Sequence, residues 1–214
     1  MALKFNSVNG SAAKSKVDLY EYKDGENVVR LVGDILPRYL YWVPAKGGKQ
    51  LPIECLSFDR EKERFTNVEV DHVPKFFPGI KCQWSYTIMC IDPKDGKVKP
   101  IPLKKKLLQQ IMSAAEQLEL DPTDPETGFD IIFKKEKTGS EKFNVEYTLL
   151  QLKLKKRALT EAERSAVAEA KSIDEIYPRQ SPDEVKAFLD KITSPDEDED
   201  EGDGNVDKEA IKDI

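Results

Sequence analysis

At 214 residues with a formal net charge of −6, the chain has room for one well-buried core and a small appendage, and no apolar run in it approaches the roughly 18 residues of a membrane span. The N-terminal stretch MALKFNSVNGSAAKSKVD lacks the apolar middle of a secretory signal. An odd set of three cysteines (Cys55, Cys82, Cys90) argues for a reducing compartment over a disulfide framework.

The overall charge conceals an asymmetry. Residues 196–214 carry ten acidic side chains and two lysines, a net of −8, whereas residues 1–157 carry 27 basic against 22 acidic groups, a net of +5. A basic body with an acidic end points to a nucleic-acid binder with an interaction tail; a tail that only keeps the protein soluble is the alternative.

Residues 1–27 are polar and without sustained period, which predicts a mobile arm. Val28–Val43, VVRLVGDILPRYLYWV, then reads as a β-branched strand around Arg30, a turn at Gly33, Asp34 and Pro37, and an aromatic strand. Strand alternation puts Arg38, Leu40 and Trp42 on one face and Tyr39, Tyr41 and Val43 on the other. Rings beside a guanidinium suit stacking on unpaired bases and holding phosphates; ordinary core and sheet-surface packing is the other reading. Lys46-Gly47-Gly48-Lys49 is a turn with two cations at its tip, either closing onto a phosphate or simply solvated.

Leu51–Phe58 reads as a strand, and the sign-alternating run Asp59–Arg64 with Phe65 as a solvated loop. In His72–Lys81 two prolines and a glycine around Phe76 and Phe77 predict an irregular loop. With Lys75 and Lys81 it is either a clamp for single strands or a plug at the end of a barrel. Trp84–Ile91 alternates as a strand with Trp84, Tyr86, Ile88 and Cys90 on one face, and Val98–Ile101 returns after the turn at Asp92–Lys97. From Pro102 the period becomes helical, with Leu103, Leu107, Ile111, Ala114 and Leu118 on one stripe. Phe129–Lys135 and Asn144–Lys156 read as a hairpin bearing Lys134, Lys135, Lys153, Lys155 and Lys156. About five strands with one helix inserted late suit a mainly β chain forming a small Greek-key barrel. Thr160–Glu163 and Ser181–Glu184 are capping boxes that open helices over about 160–171 and 182–192, with one helical turn between them at 172–177. The acidic run after Pro195 is too poor in apolar residues to fold.

Gly96-Lys97-Val98 followed by the Lys-rich helix, Asp121–Gly128, the Phe129–Lys135 strand, Gly139, the Asn144–Lys156 strand and Lys171–Ile176 resemble, in order and character, the core of T-even-type phage single-stranded-DNA-binding (helix-destabilising) proteins. The resemblance covers roughly residues 28–177. It implies an OB-fold barrel over 28–157 with a helical appendage over 158–194. It further implies no enzymatic activity, and work in replication, recombination and repair in the cytoplasm of an infected bacterial host. The acidic tail would recruit phage replication proteins such as polymerase, helicase or primase components, through Asp196, Glu197, Asp198, Glu199, Asp200 and Glu201 with Ile211 and Ile214 as apolar anchors.

Two departures bear on cofactors and assembly. Family members with a zinc subdomain carry a C-x-x-C pair, which Cys55, His72, Cys82 and Cys90 do not supply, so no metal or other cofactor is expected. The basic N-terminal arm of the family has only an echo in Lys14-Ser15-Lys16, which weakens the case for strong self-association along DNA. The expected DNA surface is Arg30, Arg38, Tyr39, Tyr41, Trp42, Lys46, Lys49, Lys75, Phe76, Phe77, Lys81, Trp84 and Tyr86, rimmed by the five hairpin lysines. Against an enzyme stand a single His72, no phosphate-cradling glycine motif and no nucleophile elbow. An acidic-tailed chaperone or interaction module without nucleic acid is the remaining alternative.

Overall fold

The computed structural model describes residues 17–141 and 144–194; most of the expected arm and the whole acidic tail lie outside the described residues. The chain is mainly β. In order it forms β1 (Gly25–Leu36), β2 (Tyr39–Pro44), β3 (Gln50–Glu54), β4 (Phe58–Asp59), β5 (Arg64–Phe65), α1 (Val73–Phe76), β6 (Gln83–Trp84), β7 (Thr87–Ile91) and β8 (Val98–Pro102). There follow α2 (Lys105–Leu118), β9 (Ile131–Lys137), β10 (Val145–Leu149), α3 (Glu161–Glu169), α4 (Ile173–Ile176) and α5 (Pro182–Thr193).

β1 organises a five-stranded antiparallel sheet of order β10-β9-β1-β7-β8. Its first half pairs with β9, up to Val29 opposite Ile131, and its second half with β7, from Arg30 opposite Ile91. The register shifts between Val32 and Leu36. Gly33 lies there at φ +70°, a conformation open to glycine that lets the strand bulge and bend. Alternation along the strands then gives two buried faces. Val29, Leu31, Ile88, Cys90, Ile101, Ile131, Phe133, Tyr147 and Leu149 pack beneath Leu107, Leu108, Ile111 and Ala114 of α2. Val32, Leu36, Met89 and Ile91 on the reverse side are covered by Leu159 and Ile173.

The sheet is not closed among the described residues. α2 runs beside the outer edge of β10, and there the Gln110 carboxamide acts as a one-residue strand. Its Nε2 donates to the Tyr147 carbonyl at 3.0 Å and its Oε1 accepts from the Leu149 amide at 2.7 Å. An edge that would otherwise expose unpaired backbone groups is thereby satisfied.

Between β1 and β7 the chain builds a second unit: a three-stranded sheet of order β3-β2-β6, the β4–β5 hairpin and α1. Its apolar centre is Tyr41, Val43, Ile53, Cys55, Leu56, Phe58 and Val73, closed by Val185 and Leu189 of α5. The C-terminal helices are thus shared, α5 going to the inserted unit and α4 to the main sheet.

Several elements differ from their sequence reading. The strand expected to reach Lys156 ends at Leu149 and gives way to a 3-10 turn at Gln151–Lys153. β9 begins only at Ile131 and Leu149 already lies opposite Phe133, so beyond Leu150 little partner strand is left. Pro102 closes β8 rather than opening α2, and Leu118 in the last turn is 45% exposed. The loop at 72–81 contains α1, and the run 59–65 is the turn of a hairpin. A third capping box, Ser172 with Glu175, opens α4 alongside the two expected ones at Thr160 and Ser181. Tyr20 and Tyr22, read as part of the arm, pack into the core, where the Tyr22 ring lies 5.3 Å from Tyr147 and 5.6 Å from Phe133.

Candidate nucleic-acid interface

The residues expected to form a DNA surface fall into three environments. Arg30, Arg38, Tyr41, Trp84 and Tyr86 are all under one-tenth exposed, which corrects their placement on an open face. Trp84 and Tyr86 share the strand face of Ile88 and Cys90, as alternation requires, but that face is the core. Their rings stack on each other at 4.4 Å and 18°. Tyr86 directs its hydroxyl to Glu63, and burial together with that carboxylate pushes its phenol pKa well up. Tyr41 donates to Asp71 at 3.0 Å. Arg30 reaches the Asp124 carbonyl at 2.6 Å and presses so closely on Gly128 that a Cβ there would lie 2.7 Å from its Nη2. Arg38 stacks over the Tyr177 ring at 4.1 Å, and burial lowers the pKa of both guanidinium groups.

A second group remains reachable by solvent. Trp42 is half-buried, on the face of β2 opposite Tyr41 and Val43, beside Pro52. Lys49, Lys75 and Lys81 are exposed, and Phe76 and Phe77 are half-buried against the inserted core; Lys46 lies in the 3-10 turn at Lys46–Gly48. The third group is the hairpin rim. Lys134, Lys153, Lys155 and Lys156 are exposed and Lys135 half-buried. Three of these lysines are ion-paired within the protein: Lys134 with Glu136 at 2.5 Å, Lys135 with Asp24 at 3.2 Å, and Lys153 with Glu26. The tail residues Asp196–Glu201, Ile211 and Ile214 lie outside the described residues.

The junction between sheet and inserted unit is where rings and charges converge. Tyr39, half-buried, touches both apolar clusters and sets its ring against Phe58 at 4.8 Å and Phe65 at 4.9 Å. Phe65 is 49% exposed. On the other face of the small sheet, opposite Leu40, the buried carboxylate of Glu54 accepts from Arg60 at 2.7 and 2.5 Å and from Arg179 at 2.8 Å. Arg179 also donates to the Leu56 and Phe58 carbonyls at 3.1 and 3.0 Å, so the segment between α4 and α5 straps the β4–β5 hairpin in place. Sequence reading passed over Phe65 because the charged run before it reads as solvent-facing; the signal available was an aromatic residue closing a polar turn.

Cys55 and Cys82 meet on the same unit. A hydrogen bond from the Cys55 thiol brings the Cys82 pKa down to about 7, while that bond and burial push Cys55 far up. Among the described residues no group of three or more His, Cys, Asp or Glu side chains is arranged to hold a metal ion, and no helix is long and apolar enough to cross a membrane.

No family model matches the chain. It is similar to a phage protein. The relative is the protein of Escherichia phage T5 named "Probable ssDNA-binding protein", 28% identical over an alignment that covers 100% of this chain and 99% of the relative. The likeness therefore takes in the five-stranded sheet, the inserted unit and the C-terminal helices alike.

Proposed function

We propose that the protein binds single-stranded DNA and coats and protects it during phage replication, recombination and repair, without catalysis of its own. The observation that carries this reading is the end-to-end similarity to the phage T5 protein named as a probable single-stranded-DNA-binding protein. The topology supports it. The order β10-β9-β1-β7-β8, with a helix between β8 and β9, is consistent with an OB-like fold whose strands would be numbered 5-4-1-2-3, the sheet being open between the third and fifth. The inserted unit then occupies the connection between OB strands one and two, a loop that OB folds use to grip oligonucleotides.

On this reading the exposed lysines supply a salt-sensitive hold on the phosphates by counterion release, and half-exposed rings of the inserted unit supply sequence-tolerant stacking. The acidic tail would recruit replication proteins through its charge and its aliphatic end, in the cytoplasm of the infected host. A fluorescence titration with poly-dT tests the core of the proposal. Affinity is expected to fall steeply as salt rises, and duplex of equal length to bind far more weakly, because its bases are closed to stacking. Equal affinity for duplex and single strand, or no binding to either, refutes it.

A further inference from the structure

We propose that Phe65, at the end of the β4–β5 hairpin, is a base-stacking residue of the single-strand surface; the assignment rests on the function proposed above. Among the described residues Phe65 is one of the few large apolar side chains left about half in water, at 49% exposed, and it is the aromatic member of that set. It is held rigidly. Tyr39 braces it at 4.9 Å and 62°, and Phe58 at 5.3 Å and 66°.

The hairpin beneath it is tied down on every side. Phe58 pairs with Phe65 and Asp59 with Arg64 across the two strands. Asp59 accepts from the Glu61 and Lys62 amides at 3.0 Å each, closing the turn. The Thr66 amide donates to the Ser57 carbonyl at 2.9 Å. Glu63 receives the Tyr86 hydroxyl from the main sheet, and Arg179 grips the Phe58 carbonyl. A ring ordered in advance loses little conformational entropy on binding, so more of the contact energy appears as affinity.

The surroundings favour a base over another protein as the occupant. Phe65 belongs to the unit inserted between β1 and β7, the connection assigned above to gripping the oligonucleotide. Arg64, exposed one residue before it, shares the opposite face of the hairpin with Asp59, so the ring itself is the contact assigned here. Stacking on a ring is tolerant of sequence, because every base has a π-face.

The test uses the full-length chain, a dT oligonucleotide and three variants. Phe65→Leu keeps an apolar side chain of similar reach but no π-face, and Phe65→Tyr keeps the face. Phe65→Leu is expected to bind dT about tenfold more weakly, with the slope of log affinity against log salt unchanged and the melting temperature within a few degrees of the parent. Phe65→Tyr is expected to bind within about twofold of the parent. Phe65→Trp adds a direct reading, since its indole emission should be quenched on saturation with dT beyond the change seen in the parent. Binding by Phe65→Leu equal to the parent, a loss in Phe65→Tyr as large as in Phe65→Leu, or no added quenching in Phe65→Trp overturns the assignment while leaving single-strand binding in place. Failure of the unmodified chain to bind dT overturns both.

Discussion

In the apolar cluster beneath α2 the rings of Trp84, Tyr86, Phe129, Phe133 and Tyr147 are all buried, whereas in the inserted unit Tyr41 and Phe58 are buried but Trp42, Phe65, Phe76 and Phe77 each keep surface in water. The difference follows from how many covers each sheet has. The large sheet is sandwiched between α2 on one face and the Leu159–Ile176 segment on the other, so the apolar side chains under each cover are buried, while Lys134 and Thr148 beyond the second cover are exposed. The small sheet has α5 against the face of Tyr41, Val43 and Ile53, and Trp42 on the opposite face stays partly open. The rings under α2 therefore serve stability, and the half-exposed rings of the inserted unit are the ones available for contact.

The sharpest way to break that comparison is to truncate a ring in the cluster beneath α2. Trp84→Ala removes a buried indole together with its stacking on Tyr86, and should cost about 3–5 kcal/mol, a large part of the stability of an ordinary domain. Trp42→Ala should cost far less and act on DNA affinity instead. Denaturant melts of the two variants decide the matter. If Trp84→Ala keeps the parental midpoint yet binds DNA poorly, the division between stabilising and contacting rings is wrong.

A second test asks whether the inserted unit depends on the C-terminal strap. Glu54 is 7% exposed and neutralises Arg60 and Arg179 at once. Glu54→Gln keeps the shape but removes the buried carboxylate that the two guanidinium groups share, leaving Arg179 with Glu69 at 2.6 Å and Arg60 with Asp174 at 3.5 Å, an expected loss of about 1–3 kcal/mol. The damage should be local. Amide exchange is expected to quicken in β3, the β4–β5 hairpin and α5 and to stay slow in β1, β7 and β9. Uniform quickening across both regions would show that they unfold as one.

These contrasts also mark what could be read without the structure. The strands of the large sheet, the stripe on α2 and the capping boxes were legible because each depends on local periodicity or a four-residue pattern. Which ring is buried was not. Trp84 and Tyr86 alternate as a half-exposed strand would, and only the packing of α2, more than fifteen residues further on, makes that face the core. Arg30 looked like a phosphate ligand, yet it is enclosed by the Asp124–Gly128 loop from across the fold. Conversely Phe65 sat behind a run of alternating charges whose turn, Asp59–Arg64, closes on itself and leaves the ring standing clear. The placement of a side chain on a face is local information; the cover over that face is not.

The smallest expected effect concerns how the second cover is fastened to the large sheet, and it carries a pH signature. Glu163 in the first turn of α3 accepts both Arg157 Nη1 and Nη2 at 2.8 Å, and Arg157 in turn donates to Asp130 at 2.7 Å, just before β9. The Arg157 guanidinium, followed by the Thr160 amide and hydroxyl, holds the Glu163 pKa down at about 2, against 4.5 ordinarily. A carboxyl that is more acidic in the folded chain than in the unfolded one is protonated first in the unfolded state. Its contribution is therefore complete above about pH 4.5 and is lost as the pH falls through about 2. The pair is partly solvated, so screening keeps that contribution to about 1 kcal/mol. Glu163→Gln should accordingly be less stable than the parent at neutral pH, with the gap narrowing below pH 4.5 and closing near pH 2. Urea melts across that range measure it, and a gap that stays constant with pH would mean that the charge of Glu163 has no part in holding the cover.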